Sequence, residues 1–161
     1  MSTIDDIQQI LANRQFSSFV GRKEDLWFDA KSDAHDLNSS TGRWELAKDV
    51  SAFSNAEGGF IVVGLTTEPV PEEQTDKVSA LTLLQEASFN ITQIQGVLRD
   101  HLHPNVQGLE VRWVESVDGN GQGVGIIYVP EQPQDRRFTL MMSVIDEGIE
   151  LARTFTPMTD A

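Results

Sequence analysis

The fold of this chain is set by two stretches of sequence: residues 24–31 read EDLWFDAK, and residues 52–65 read AFSNAEGGFIVVGL. In the first stretch apolar and polar side chains alternate, which is the period of a β-strand, so we expect a strand over Asp25–Lys31. In the second stretch the diglycine Gly58-Gly59 allows a tight backbone turn. The apolar run Phe60–Val63 lacks polar alternation, so we expect a strand that is buried on both faces.

A helix is expected between these two strands. Residues 33–42 are polar and indicate a loop, in which we expect His35 to be solvated. From Arg43 to Ser54 the apolar side chains recur at helical spacing on one stripe. We therefore expect a helix over Arg43–Ser54 that packs on the sheet and ends at the diglycine.

The flanking sequence predicts further helices and strands. An N-terminal helix is expected with Ser2 or Thr3 as its cap. The segment Glu68–Lys77 contains two prolines and indicates a surface loop, and Leu81 with Leu84 suggests a short helix. A longer helix follows Asn90 and ends before a proline. Two strand pairs complete the chain: Leu109–Val117 with Val124–Val129, and Arg137–Ile145 with Ile149–Phe155.

Helices mixed with hairpins indicate an α+β fold in which helices pack on a mixed sheet. A length of 161 residues is enough to bury one core without disulfides or metal. We therefore expect a single domain over residues 1–161, with an N-terminal helix and lead-in at residues 1–20 and the core at residues 21–161.

The composition excludes several kinds of site. The chain has no cysteine, so it lacks thiol catalysis, disulfides and cysteine-ligated metal. No segment resembles a signal peptide or a membrane span, and we expect a soluble cytoplasmic protein that does not engage membranes. The net charge of −13 repels phosphate backbones, so binding of nucleic acid requires a local basic patch. The candidates are Arg22, Lys23, Lys31, Arg43, Lys48, Arg136 and Arg137.

The residues from Glu24 onwards resemble the Schlafen AlbA-like family, a nucleic-acid-binding domain family found in many bacterial proteins. The family pattern is an acid, a few residues, an acid-aromatic-lysine strand, a helix ending in Ala-Phe-x-Asn, a diglycine turn and an apolar strand ending in glycine. The matching pieces here are Glu24, Asp29-Ala30-Lys31, Ala52-Phe53-Ser54-Asn55, Gly58-Gly59 and Ile61-Val62-Val63-Gly64. The later helix and the hairpin that ends at Val129-Pro130 also resemble the second half of the family.

The resemblance implies two kinds of function. Some members are RNA endonucleases that use three carboxylates with a divalent metal, and others are DNA- or RNA-binding modules of regulators or helicases. Glu24 and Asp29 match the first two acids, which are candidate ligands of Mg²⁺ or Mn²⁺, and Lys31 stands beside them as a candidate catalytic cation. The third acid is expected after Gly64, where the sequence has LTT, and Glu68 is the nearest substitute.

These observations leave three functional classes open. The first, which we favour, is a nucleic-acid-binding or regulatory module without catalysis. The second is a metal-dependent RNA endonuclease, and the third is a protein-interaction module whose acidic surface engages a basic partner. A structural alternative at the candidate site is that Lys31 pairs with Asp29 or Glu24 and that no metal binds. Strands at the sheet edges also suggest a homodimer.

Overall fold

The protein is described from a computed structural model, in which residues 2–136, 140–144 and 150–154 are described. The α-helices are α1 (Thr3–Asn13), α2 (Ser40–Ser54) and α3 (Ile91–His101). The strands are β1 (Phe28–Lys31), β2 (Gly59–Val63), β3 (Leu65–Pro69), β4 (Asp76–Leu81), β5 (Leu84–Gln85), β6 (Leu102–His103), β7 (Glu110–Glu115), β8 (Gln122–Val129), β9 (Leu140–Val144) and β10 (Glu150–Thr154). Within the described residues, none of the helices has the length and apolar character needed to cross a bilayer.

The chain folds into two compact units. The first unit comprises Met1–Ala34, Gly59–Asn90 and Glu110–Tyr128, and the second comprises His35–Gly58, Ile91–Leu109 and Val129–Ala161. Both contain helices and strands, which confirms the expected α+β class. The expectation of one domain over residues 1–161 stays a prediction.

The first unit is built on a mixed sheet. The strand order is β1-β2-β8-β5, and β7 pairs with β8. The β1–β2 pair is parallel, whereas β7 and β5 run antiparallel to β8. Helix α1 contributes Ile7 and Leu11 to a core that also contains Phe28, Phe60 and other sheet residues. Every residue of β2 is buried, as the missing polar alternation predicted.

Side-chain hydrogen bonds determine where α1 and β1 begin. The Ser2 hydroxyl caps α1 by accepting the Asp5 N–H at 3.2 Å, as predicted. Strand β1 begins at Phe28 and not at Asp25, because the Asp25 carboxylate accepts the Trp27 N–H at 2.8 Å and closes a turn.

The loop predicted at Glu68–Lys77 is shorter than expected, because β3 extends to Pro69 and β4 begins at Asp76. The prediction of a short helix at Leu81 and Leu84 was wrong, because these residues lie in β4 and β5. Strands β3 and β4 form an antiparallel hairpin with a bulge at Thr66/Thr67. The lead-in to β1 pairs along the outer side of β4, since Gly21 N–H donates to Val78 O and Val78 N–H donates to Arg22 O. The prolines and acids of residues 68–77 made the ends of β3 and β4 look like part of the loop. These strands are fixed by pairing with residues that are distant in sequence.

The second unit packs α2 and α3 on the antiparallel sheet β10-β9-β6. Helix α2 starts earlier than predicted, because Ser39 accepts the Gly42 N–H at 2.9 Å and caps it. The expectation that His35 is solvated was wrong. Its Nε2 lies 3.0 Å from Asp49 Oδ2, and its side chain is only 8% exposed. The second predicted hairpin is present as β9 and β10, and its turn lies outside the described residues.

Candidate functional site

Glu24 lies at the bend between the β4 edge and β1. Its backbone N–H donates to Asp76 O at 2.8 Å, and the Thr75 hydroxyl donates to Glu24 O at 3.1 Å. This anchoring turns the Glu24 side chain towards β1, where Oε2 accepts the Ala30 N–H at 2.9 Å. The chain therefore brings residues 24 and 30 together although no regular element joins them.

The Ala30 N–H points to the outer edge of β1. Lys31 O accepts the N–H of Gly64, directly after β2, so the odd-numbered residues of β1 face β2. Ala30 therefore faces the opposite edge, where the sheet order places no further strand among the described residues. An open strand edge presents unpaired backbone groups. The Glu24 carboxyl satisfies one of them and caps this edge.

Glu24 and Asp29 form a carboxyl pair. Burial of Glu24, its side-chain hydrogen bond to Asp29 and the negative charges of Asp29 and Asp76 raise the pKa of Glu24 to about 8, although the Ala30 N–H acts in the opposite direction. Two carboxyl groups can hydrogen-bond to each other only when one of them carries a proton. Because its pKa is raised to about 8, Glu24 holds the proton of this hydrogen bond near neutral pH.

Lys31 forms an ion pair with Asp29, the other member of the pair. Its Nζ lies 3.1 Å from Asp29 Oδ2, and both side chains are about 30% exposed. Asp29 and Lys31 are two residues apart on β1, so their side chains share one face of the strand. The result is a continuous chain of contacts from the Ala30 N–H through Glu24 and Asp29 to Lys31.

This arrangement does not fit a divalent metal. Mg²⁺ and Mn²⁺ bind ionised oxygen ligands, so a metal here would have to displace the proton of Glu24, whose Oε2 also accepts a backbone N–H. Asp29 is already neutralised by Lys31. Across residues 2–136, 140–144 and 150–154, no three His, Asp or Glu side chains are placed to hold a metal ion. The geometry agrees with the structural alternative, in which Lys31 pairs with Asp29.

The sequence offered two positions for a third carboxylate, residues 65–67 and Glu68. Among the described residues, neither completes a group of three ligands with Glu24 and Asp29. Thr66 lies on β3, and its hydroxyl contacts the Thr82 hydroxyl at 3.2 Å. Glu68 lies further along β3, 3.7 Å from Lys77 Nζ. Besides Asp29, the acid that raises the pKa of Glu24 is Asp76 at the start of β4. Asp76 was not among the predicted site residues, because it falls in the segment predicted as a loop. The alternation of polar and apolar residues over Lys77–Ala80 was the available sign of a strand.

Two of the predicted phosphate-binding cations in the first unit already have acidic partners. Arg22 Nη2 lies 3.4 Å from Asp6 Oδ2, and its Nε is buried without a partner among the described residues. Lys23 Nζ contacts both carboxylate oxygens of Glu73 at 2.9 Å, and both side chains are about half exposed. Arg22 therefore connects the segment before β1 to Asp6 of α1, whereas Lys23 is the more accessible of the two cations.

Two of the predicted cations of the second unit, Arg43 and Lys48, have partners as well. Arg43 Nη1 donates to Leu37 O at 3.0 Å, which closes the loop before α2. Lys48 Nζ lies 3.0 Å from Glu45 Oε2 and 4.9 Å from the centre of the Trp44 ring, a cation–π contact. Arg136 ends a short 3-10 helix, and nothing is described of its side chain; Arg137 lies outside the described residues.

Comparisons with known proteins place the chain in a family. No curated protein matches the sequence. Among solved structures, the N-terminal domain of a RecG-related protein from Nitrosomonas europaea, described in relation to an ATP-dependent DNA helicase, is similar with a TM-score of 0.43 and 19% identity, over 100% of this chain and 94% of that one. The family model described as Schlafen, AlbA_2 matches residues 24–146, so the chain belongs to that family.

Proposed function

We propose that this chain is a nucleic-acid-binding or regulatory module that does not cleave its ligand. Membership of a family associated with nucleic acids supports the first part of the proposal. The observation that carries the second part is the state of the carboxyl pair. Glu24 and Asp29, the two acids that match the family pattern, hold a proton between them and a lysine beside them.

The ion pairs of the cations do not exclude contact with phosphate, but they weaken it. An exposed ion pair between side chains contributes only about 0–1 kcal/mol, so a phosphate can replace the carboxylate at small cost. Lys23 and Glu73 form such a pair. The net charge of −13 opposes the approach of a polyanion at longer range. We therefore expect weak binding that falls steeply as salt rises.

A binding assay tests the first part of the proposal. Mobility shifts with tRNA, single-stranded DNA and duplex DNA across a salt series should reveal at least one salt-sensitive complex. Lys23→Glu should weaken that complex, because it removes an accessible cation near the β4 edge. Arg99→Glu is the matched control, since Arg99 is 70% exposed and also stands beside an acid, Asp100.

The outcomes of this assay separate the functional classes. Absence of binding to all three nucleic acids would favour the acidic protein-interaction module, which the net charge supports. Equal effects of Lys23→Glu and Arg99→Glu would show that only total charge matters.

A nuclease assay tests the second part. With Mn²⁺ present, the protein should leave structured RNA intact. Robust cleavage by the unmodified protein, abolished in Asp29→Asn, would overturn the proposal in favour of the endonuclease.

A further inference from the structure

Strand β7 leaves one edge open in the part of the chain that the structure describes. Among the described strands it pairs only with β8, at the side of the sheet. Its six residues pair in regular register, without the bulge that blunts many edge strands. Such an edge can accept another strand.

The direction of each peptide group along β7 follows from one hydrogen bond. Ser116 N–H donates to Gln122 O at 2.8 Å, directly after the strand. Because peptide groups alternate along a strand, the even-numbered residues of β7 bond to β8. Val111 and Trp113 therefore direct their N–H and C=O groups to the outer edge.

The neighbours of Val111 in sequence, Glu110 and Arg112, carry opposite charges and lie on the same face of β7. Glu110 and Arg112 are both exposed. Their inner neighbours on β8 are Tyr128 and Ile126, neither of which is a charged partner. Neither Glu110 nor Arg112 forms an ion pair with any described side chain. Burial raises the pKa of the Tyr128 phenol, and the negative charge of Glu110 nearby raises it further.

We propose that the outer edge of β7 pairs with the same edge of a second copy of this chain, antiparallel and centred on Val111. In this register Val111 exchanges both backbone hydrogen bonds with Val111 of the partner subunit. Glu110 then lies opposite Arg112 of the partner subunit, and the symmetry creates this pair twice. The two side chains meet at a pair without backbone hydrogen bonds, where cross-strand contacts are closest.

Charge selects this register over its neighbours. A two-fold axis at Arg112 would place arginine opposite arginine, and an axis at Trp113 would place Arg112 opposite Val114. Like charges directly opposite each other destabilise a strand pair, whereas opposite charges stabilise it. The sequence Glu-Val-Arg is therefore complementary to itself only when it is centred on its valine.

Charge exchange tests the proposal. Analytical ultracentrifugation at physiological salt over a broad concentration series should show a reversible dimer of the unmodified protein. Glu110→Arg and Arg112→Glu should each weaken dimerisation about tenfold or more, because two attractive pairs become repulsive. The double variant Glu110→Arg with Arg112→Glu should restore it, which also shows that the variants fold. A monomer at every concentration, or a double variant that stays monomeric, would overturn the proposal.

A thiol probe tests the register itself. Because the chain has no cysteine, Val111→Cys introduces a single thiol. The proposed pairing places the two copies of residue 111 about 5.5 Å apart between Cα atoms, within the range that a disulfide spans. Mild oxidation should therefore cross-link Val111→Cys but not Glu115→Cys, which lies four residues from the axis. Cross-linking of Glu115→Cys alone would contradict the register.

Discussion

Replacing Glu24 by glutamine should remove a pH dependence of stability that arises from the carboxyl pair. The unfolded chain loses the proton of Glu24 near its ordinary pKa of 4.5, whereas the folded protein keeps it up to about 8. The folded state binds more protons between these values, so the free energy of unfolding falls as the pH rises through this window. The contribution is complete below pH 4.5 and lost above about pH 8.

The size of the effect follows from the pKa difference and from exposure. Each pH unit is worth about 1.4 kcal/mol, so a pKa of 8 in place of 4.5 would correspond to roughly 5 kcal/mol. Glu24 is only partly buried, and solvent screens such interactions. We therefore expect a loss of about 1–2 kcal/mol across the window. Glutamine cannot titrate, but it keeps an oxygen for the Ala30 N–H and an N–H₂ group that donates to Asp29.

Urea unfolding followed by circular dichroism at several pH values measures this difference. The stability of Glu24→Gln relative to the unmodified protein should rise by about 1–2 kcal/mol between about pH 5 and about pH 9. Glu86→Gln is the matched control, because Glu86 is exposed in the same unit and the change in charge is identical. If the relative stability of Glu24→Gln does not change with pH, Glu24 does not hold the proton near neutral pH. Its carboxylate would then be available as an ionised metal ligand.

Four further substitutions at three positions test the diglycine turn, the interior of α3 and the cap of α2 by the same unfolding assay. Gly58→Ala should destabilise by about 2 kcal/mol or more, since Gly58 has a φ of +84° and a Cβ there would meet Val129 O; an unchanged midpoint would contradict the turn. Gly96→Ala should stabilise by about 1 kcal/mol, because Gly96 lies inside α3 and a Cβ there makes only an ordinary contact; a loss would indicate a clash. Ser39→Ala should cost about 1 kcal/mol through loss of the α2 cap, and Ser39→Asp should retain most of the stability.

The elements that the sequence predicted well carry their signals locally. Helix α1 has a capping serine and apolar residues at helical spacing, and β2 is a short apolar run after glycine. The hairpin of β7 and β8 is marked by Asp118-Gly119-Asn120-Gly121 between two strand-like runs. In each case the residues that determine the element lie within it or at its ends.

The β3–β4 hairpin and the diglycine show where local signals fail. The outer side of β4 is fixed by residues 21–24, which lie about fifty positions earlier, so nothing within the hairpin reveals its pairing. The sequence predicts a turn at the diglycine but does not distinguish its two residues. Gly58 has the positive φ, and the backbone of residues 129–131 lies closest to it. Only the packed structure distinguishes the two.

The sequence predicted that Glu24, Asp29 and Lys31 lie close together, but it did not predict their hydrogen bonds and ion pair. The strand period correctly places Asp29 and Lys31 on one face, and a family match draws attention to Glu24. The sequence does not show that Glu24 reaches the outer edge of β1, because that depends on its anchor to Asp76. Once Glu24 holds a proton, the pair has one negative charge, which Lys31 cancels. A phosphate that approaches this edge therefore meets a neutral group, whereas two ionised acids without a metal would repel it.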